Sequence, residues 1–245
     1  METFYLGTNE PSWLKKYDIP LFVSNTRFRR LKYPKPAIGR WCLDSGGFSV
    51  LSRFGEWIFS RLDYLKDIER YVQNVGNLDW VAPMDYMCEE SVLRKTGLTV
   101  EEHQRRTIDN FLFLRHHVGD LVIPVLQGWT LDEYLSHIDQ YQQAGINLED
   151  ESVVGLGSIC RRNQREPIKK IITRVADANI KLHTFGLSGY ALKDNHKIIK
   201  SSDSMSWSYQ ASKYPPLPGH NHKCCNFCIE YALMWRERLL NRCID

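Results

Sequence analysis

Along the chain, short apolar runs alternate with longer stretches in which apolar residues recur at helical spacing. The runs at residues 4–7, 21–24, 41–44, 78–84, 121–127, 153–159, 182–187 and 202–207 predict strands, being short, rich in aliphatic and aromatic residues and bounded by polar or turn residues. Between the later ones, recurrence every three to four residues predicts helices over 100–117, 131–144, 167–178 and 191–200, each long enough to carry a crossover between parallel strands. Thr99 with Glu102, and Thr130 with Glu133, have the spacing at which a hydroxyl and a carboxylate cap a helix start reciprocally. A last helix is expected over 229–240.

Eight strands alternating with helices predict an α/β fold, read as a (β/α)8 TIM barrel, with a doubly wound open sheet as the alternative. Pro215, Pro216, Pro218 and Gly219 end that pattern. The expected organisation is therefore a barrel domain over 1–214 and, over 215–245, a small C-terminal zinc-binding segment with a helix packed on the barrel.

In a barrel, the C-terminal ends of the strands and the loops after them face one mouth. Asp44, Asp85, Gln127, Ser158, His183 and Asp203 all fall at or just beyond such an end. An ionised carboxylate in an apolar setting is costly unless paired or used, so Asp44, Asp85 and Asp203 are read as one site. For a bond at a sugar carbon, a carboxylate nucleophile opposite a second carboxyl group is a familiar arrangement, and Asp203 and Asp44 suit those roles. The alternative is a structural cap or salt bridge.

The neighbours of these acids suggest a flat ligand. Gly46-Gly47 lets the backbone approach closely, and Phe48 beside it can stack on a ring, although a plain turn and a core phenylalanine would look the same. Gln127 next to Gly128 offers an amide that both donates and accepts, which suits the edge of a purine. Gly155, Gly157 and Ser158 form a glycine-rich strand exit with backbone donors to offer, or one that merely permits tight packing.

Composition narrows the setting. The chain has 245 residues with 43% hydrophobic content, enough for one sizeable core, and no apolar stretch of the length a membrane span needs. No secretory signal is recognisable at residue 1, so a cytoplasmic protein is expected, in a bacterium or a phage-infected host. The formal net charge of +3 carries no global nucleic-acid signature. Two local basic clusters stand out, one around Arg27, Arg29 and Arg30 and one around Arg161, Arg162 and Arg165. Either is a solvated face or a phosphate contact, and Arg30, Arg161 and Arg162 are the candidates for the latter.

Seven cysteines is an odd count, and three crowd into residues 224–228 behind His220 and His222. Such density fits a structural tetrahedral Zn2+ better than disulfides. The expected ligands are Cys224, Cys225, Cys228 and one histidine, His222 or alternatively His220, with Cys243 in reserve. Four protein ligands leave no open position, which implies a role in folding.

These pieces, in this order, resemble the guanine transglycosylases, barrel enzymes that exchange guanine for a 7-deazaguanine base. Asp44-Ser-Gly-Gly-Phe48 is similar to their base-stacking and acid/base motif, Asp85 to the aspartate that grips the base edge, and Gln127-Gly128 with Gly155-Leu-Gly157 to the segments that bind the purine oxygen. Asp203 falls where the family has its nucleophile. The nearer resemblance is to the DpdA-type DNA-modifying branch, carried by Phe4-Tyr-Leu-Gly-Thr8, Met84-Asp-Tyr-Met-Cys-Glu89, Glu102-His-Gln104, Gln127-Gly-Trp129, Gly155-Leu-Gly-Ser158, His183-Thr-Phe-Gly186 and Asp203-Ser-Met-Ser-Trp207. Two departures from the tRNA enzymes are Ser49, where they carry glutamine, and a Cys-Cys-x-x-Cys rather than Cys-x-Cys-x-x-Cys metal motif.

The resemblance implies exchange of guanine in DNA for a free 7-deazaguanine base such as 7-cyano-7-deazaguanine, through a covalent Asp203 glycosyl ester, with no redox or nucleotide cofactor. Extrusion of the nucleotide onto Phe48 would precede the chemistry. DNA is the expected partner and tRNA the runner-up, with helper proteins or a homodimer as further company. Rival readings are a non-catalytic nucleic-acid-binding barrel subunit and a hydrolytic N-glycosidase.

Overall fold

The computed structural model describes residues 1–160, 162 and 165–243. In chain order the elements are β1 (Thr3–Thr8), β2 (Leu21–Ser24), α1 (Asn25–Phe28), β3 (Trp41–Asp44), α2 (Gly47–Phe54), α3 (Arg61–Asn74), β4 (Leu78–Val81), α4 (Glu90–Thr96), α5 (Val100–Val118) and β5 (Val125–Leu126). Then follow α6 (Leu131–Gln143), β6 (Val154–Leu156), α7 (Arg165–Ala176), β7 (Leu182–Thr184), α8 (Gly189–Asn195), β8 (Ser201–Ser204), α9 (Ser206–Ala211) and α10 (Ile229–Asn241).

All eight strands pair in parallel, in the order β4-β3-β2-β1-β8-β7-β6-β5, so the first and last strands of the chain lie side by side at the centre of the sheet. The sheet curls into a TIM-like half-barrel. Its end strands approach each other through a parallel bridge between Val81 and Val122, where the Ile123 N–H donates to the Val81 carbonyl at 3.1 Å. Prolines explain why this seam is thin. Pro83 and Pro124 have no N–H for a ladder, so β4 stops at Val81 and β5 begins after Pro124, both shorter than their apolar runs.

Side-chain alternation sorts the strands into two layers. Tyr5, Phe22, Cys42, Trp80, Ala82, Ile123, Val125 and Val153 face inward and pack together with Phe185. Their neighbours Phe4, Leu6, Trp41, Leu43, Leu126 and Leu156 face outward into a larger cluster under the helices. The same period of two carries Asp44, Gln127, His183 and Asp203 onto the inner face, above or within that inner layer. The β1-to-β2 connection holds only a 3-10 turn (Pro11–Lys15) and no α-helix. At β1 the outer residue Phe4 meets Trp235 of α10, with ring centroids 6.2 Å apart, and the Arg236 guanidinium donates to the Phe4 carbonyl at 3.3 Å.

All eight expected strands are present, and so are the four expected crossover helices, although α8 ends at Asn195, five residues early. Helices α1, α2, α3, α4 and α9 were not anticipated, and α9 begins at Ser206 inside the run expected to be strand. The signal for α3 is visible in retrospect: Tyr64, Leu65, Ile68 and Tyr71 recur on one buried face, and Ser60 forms a complete capping box with Asp63. Thr130 and Glu133 form the expected box. At Thr99 half of it forms, because the Glu102 carboxylate is taken instead by Arg105 and Arg106.

Candidate active site

The loop after β3 is built from close approaches. Asp44 ends the strand and Ser45 follows, fully buried, donating its hydroxyl hydrogen to Asp85 Oδ1 at 2.8 Å and accepting the Gly47 N–H at 3.2 Å. Gly46 adopts a left-handed φ of 82°, and a Cβ there would lie 2.4 Å from Thr26 Cγ2, so only glycine fits. This lets α2 start at Gly47 and sets Phe48, half-buried, against Leu51, Tyr86 and Met87.

Asp44 is half-buried on the inner face. Burial pushes its carboxyl up to about 7, helped by the negative charge of Asp85 and, less, of Asp203, and opposed by hydrogen bonds from the Gly46 backbone and the Ser24 hydroxyl. Asp85, on the loop after β4, is likewise raised by burial, to about 6. Hydrogen bonds from Ser45, its own backbone and Gln127 hold it down, while Glu89 pushes it up.

Asp85 anchors a polar chain across the mouth. Gln127 Nε2 donates to Asp85 Oδ2 at 2.6 Å, and Gln127 Oε1 accepts the Ser158 hydroxyl at 2.7 Å. The Ser158 hydroxyl in turn accepts the Cys88 N–H at 2.7 Å and lies 3.0 Å from Glu89 Oε2. Gln127 is held from behind as well: its N–H donates to His137 Nδ1 at 2.9 Å and its carbonyl accepts from Gln104 Nε2 at 2.7 Å. His103 supports the Asp85 loop through the Met87 carbonyl at 2.7 Å. The His103-Gln104 pair, which drew attention as a motif, therefore braces the loops of the site.

The glycines have a similar explanation. A Cβ on Gly157 would lie 2.3 Å from Gln127 Nε2, and one on Gly155 would lie 2.5 Å from Phe185 Cε2. Gly128 sits 3.1 Å, by the same measure, from Glu133 Cβ on α6. Each makes room for neighbouring parts of the protein itself, the tight packing that was the alternative to offering bare backbone to a ligand.

Asp203 lies on β8, 6% exposed, with Oδ1 accepting the Gly186 N–H at 3.0 Å and lying 3.3 Å from His183 Nε2. Trp207 does not line its surroundings. It is buried, stacked on Trp13 at 5.6 Å, and donates to the Gly7 carbonyl at 2.8 Å.

The basic candidates separate. Arg162 directs its guanidinium onto the carbonyls of Ser158 (2.7 Å), Trp129 (2.8 Å) and Gly128 (3.1 Å), strapping the loops after β5 and β6 together over the Trp129 ring, 3.9 Å from its centroid. It clasps the loops, and a phosphate contact for Arg162 remains a proposal. Arg30 is exposed just beyond α1. Arg161 lies outside the described residues.

At the other end of the chain, ligand atoms of His220, His222, Cys225 and Cys228 all lie within 4.8 Å of one another. The His222 Nε2 to Cys225 Sγ and His220 Nδ1 to Cys228 Sγ distances are 3.1 and 3.6 Å, and Glu230 holds the other nitrogen of His220 at 2.7 Å. Two imidazoles and two thiols, one imidazole backed by a carboxylate, fit a tetrahedral metal ion. Both histidines take part where one was expected. Cys224 turns away to Asn226 Oδ1 at 3.4 Å, and Cys243 to the Leu239 carbonyl at 3.6 Å, so neither joins the cluster.

Sequence reading missed Ser45 as an acid partner, Glu89 as a neighbour of Ser158, and the exposed aromatics Trp129, Tyr190 and Tyr209 (43%, 67% and 69% exposed) on segments after β5, β7 and β8. Ser45 and Glu89 carried only the weak signal of adjacency to an aspartate and to a buried loop. An exposed aromatic has no signature in a single sequence. Among the described residues, no helix is long and apolar enough to cross a membrane.

A profile of the family described as DpdA, DeoxyPurine in DNA protein A, matches residues 1–245. No curated protein sequence matches the chain. Among solved structures it is similar to an isomerase from Sinorhizobium meliloti, at 10% identity over 83% of this chain and 50% of that one, with a TM-score of 0.43, so it spans half that protein's length. It is similar also to 2,3-dimethylmalate lyase of the PEP mutase/isocitrate lyase superfamily (11% identity, 95% and 90% covered, TM-score 0.47) and to triosephosphate isomerase from Bartonella henselae (10%, 83% and 92%, TM-score 0.40).

Proposed function

The chain belongs to the DpdA, DeoxyPurine in DNA protein A, family, and from that premise we propose that it is a base-exchanging glycosyltransferase which replaces guanine in DNA by a free 7-deazaguanine base such as 7-cyano-7-deazaguanine. The observation that carries this reading is the placing of Asp44 and Asp203 on the inner face of one parallel sheet, at the ends of β3 and β8, with Asp85 tied to the loop after Asp44 by the Ser45 hydroxyl at 2.8 Å.

In this reading the extruded guanine stacks on Phe48. Asp85 accepts from N1 and N2 of the base, using the lone pairs that Ser45 and Gln127 leave, and the second hydrogen of the Gln127 amide donates to O6. Asp203 attacks C1′ as the C1′–N9 bond breaks, and guanine leaves with that electron pair. Asp44, titrating near neutrality, delivers the proton it needs. The incoming base attacks C1′ through its ring nitrogen, Asp44 takes the released proton, and the ester bond returns its electrons to Asp203. No redox or nucleotide cofactor enters.

Arg30 is retained as a phosphate contact and Arg161 remains a candidate; Trp129, Tyr190 and Tyr209 suit bases flanking the extruded one. His220, His222, Cys225 and Cys228 would hold Zn2+, which ties the segment between α9 and α10 into the fold. Zinc content should fall in Cys225→Ser and survive in Cys224→Ser. The sheet is read as a closed (β/α)8 barrel domain over 1–214 carrying the 215–245 segment, working in the bacterial or phage-infected cytoplasm where its DNA is.

The test is incubation of the protein with DNA and 7-cyano-7-deazaguanine, followed by digestion to nucleosides and mass spectrometry. A deazaguanine deoxynucleoside is expected. Abasic sites would convert the reading to a hydrolase, labelling of tRNA alone by radioactive guanine would move it to RNA, and full activity of a partner complex carrying Asp203→Ala would make the chain a binding subunit.

A further inference from the structure

Asp203 is held on one side only. Its Oδ1 accepts the Gly186 N–H at 3.0 Å and lies 3.3 Å from His183 Nε2, whereas no described residue donates to Oδ2. His183 is fully buried in the inner layer, its ring centroid 4.7 to 6.1 Å from those of Trp80, Phe185, Phe22 and Tyr5. A polar ring in so apolar a place has to be satisfied at both nitrogens. The sheet register does this: His183 pairs with Ser201 across β7 and β8, which brings the Ser201 hydroxyl to 2.9 Å from Nδ1. Asp203 follows two residues later, on the same face and one pleat nearer the mouth.

We infer that His183 is a positioning residue for the Asp203 carboxylate, an inference that rests on the transglycosylase reading above. The Ser201 hydroxyl donates to Nδ1, which leaves the imidazole hydrogen on Nε2 and points it at Asp203 Oδ1. With Oδ1 occupied by His183 and by the Gly186 N–H, Oδ2 is the oxygen that forms the bond to C1′ as the C1′–N9 bond breaks. In the ester, Oδ1 becomes the carbonyl oxygen. When the incoming base displaces Oδ2, the electron pair returns to the carboxylate, and the two donors stabilise the charge that reappears there. His183 neither gains nor loses a proton over the cycle. Its ring is fixed by four aromatic neighbours, so the carboxylate is aimed before the nucleotide arrives.

The test uses the full chain, DNA and radioactive guanine. His183→Phe keeps the aromatic packing and removes the donor; kcat for exchange should fall about 10- to 100-fold, with KM for DNA within about twofold. His183→Gln, which can place an amide hydrogen near Oδ1, should recover part of that loss. If His183→Phe fails to fold, Ser201→Ala is read instead, since it frees the imidazole tautomer and should lower kcat several-fold at unchanged KM. A folded His183→Phe or Ser201→Ala protein with wild-type kcat overturns the inference while leaving the reaction intact. If wild-type protein incorporates no guanine into DNA, the reading itself fails and takes this inference with it.

Discussion

Asp85 and Asp44 stand on adjacent loops of the same mouth, both raised by burial, yet they are held differently. Asp85 receives a hydroxyl on one oxygen and an amide on the other, at 2.8 and 2.6 Å, and rises only to about 6. Asp44 feels the charges of Asp85 and Asp203 on top of its burial and rises to about 7. Neutral donors favour the ionised form of a buried carboxylate and like charges its protonated form; both act on each acid, with two side-chain donors on Asp85 and two neighbouring carboxylates on Asp44. In the function proposed above, this difference suits Asp85 to standing recognition of hydrogen-bond donors and Asp44 to moving a proton, with Asp203 beside them kept in place through one oxygen.

The largest effect should come from the third acid. Asp203→Asn leaves the shape of the site and its contacts to Gly186 almost unchanged but removes the attacking oxygen. Exchange should fall by on the order of 10³-fold or more, and no adduct between protein and DNA should survive denaturation. An adduct that persists in Asp203→Asn would transfer the nucleophile to another residue and dissolve the contrast between the acids.

Next comes Asp44. The proposed mechanism needs Asp85 ionised and Asp44 protonated as the base leaves, so the rate should rise through about pH 6 and fall above about pH 7. Asp44→Asn should lower the rate about 10²- to 10⁴-fold and abolish the alkaline limb. Stability moves the opposite way. Both carboxyls are raised above their unfolded value near 4, so the native chain binds more protons than the unfolded one. The contribution of these two carboxyls to stability is therefore fully present below that value and is lost as pH rises through about 6 and about 7. Thermal melts should show Asp44→Asn more stable than wild type at pH 8, by at most about 4 kcal/mol, and equal to it below pH 4. Equal melting at pH 8 would mean that Asp44 bears no such burden.

How much of this was legible without coordinates depends on the range of the interactions. Strand ends and their period of two are local, so Asp44, Gln127 and Asp203 could be placed on one mouth from spacing alone. The glycines were less legible because what a glycine makes room for is decided by another strand: Gln127 fills the space over Gly157, and Phe185 that over Gly155. The contacts of Arg162 were hidden for the same reason, since two of the three carbonyls it clasps lie 33 and 34 positions away at Trp129 and Gly128. In the metal cluster, residue types were readable, but which of two consecutive cysteines faces the centre is set by the turn, and His220 takes the place given to Cys224. Helices α2 to α4 were passed over where strand-end motifs drew the attention, although α3 carries its own cap.

Gly157→Ala tests the recognition side. The new methyl would meet the Gln127 amide at 2.3 Å and push it off Asp85 without touching Asp44 or Asp203. KM for the incoming base should rise about tenfold or more while the alkaline limb stays near pH 7. If kcat falls and KM does not, Gln127 serves the reaction and not the grip on the base.

The finest test is to make Asp85 resemble Asp44. Ser45 is buried and gives its hydroxyl hydrogen to Asp85 Oδ1, so Ser45→Ala removes a donor to the ionised form at the loss of a single oxygen atom. One such hydrogen bond is worth roughly 1 kcal/mol, which corresponds to somewhat less than one pH unit. The acid limb of the exchange profile should move upward from about pH 6 by up to that amount, narrowing the bell from its left side, and the rate at the optimum should fall only a few-fold. The alkaline limb should hold its position or fall slightly, because a carboxylate that ionises later repels the Asp44 charge less and so lowers the pH at which Asp44 gives up its proton. An acid limb that stays at its wild-type position in Ser45→Ala would belong to a group other than Asp85, and the division of labour between the two neighbouring acids would have to be drawn elsewhere.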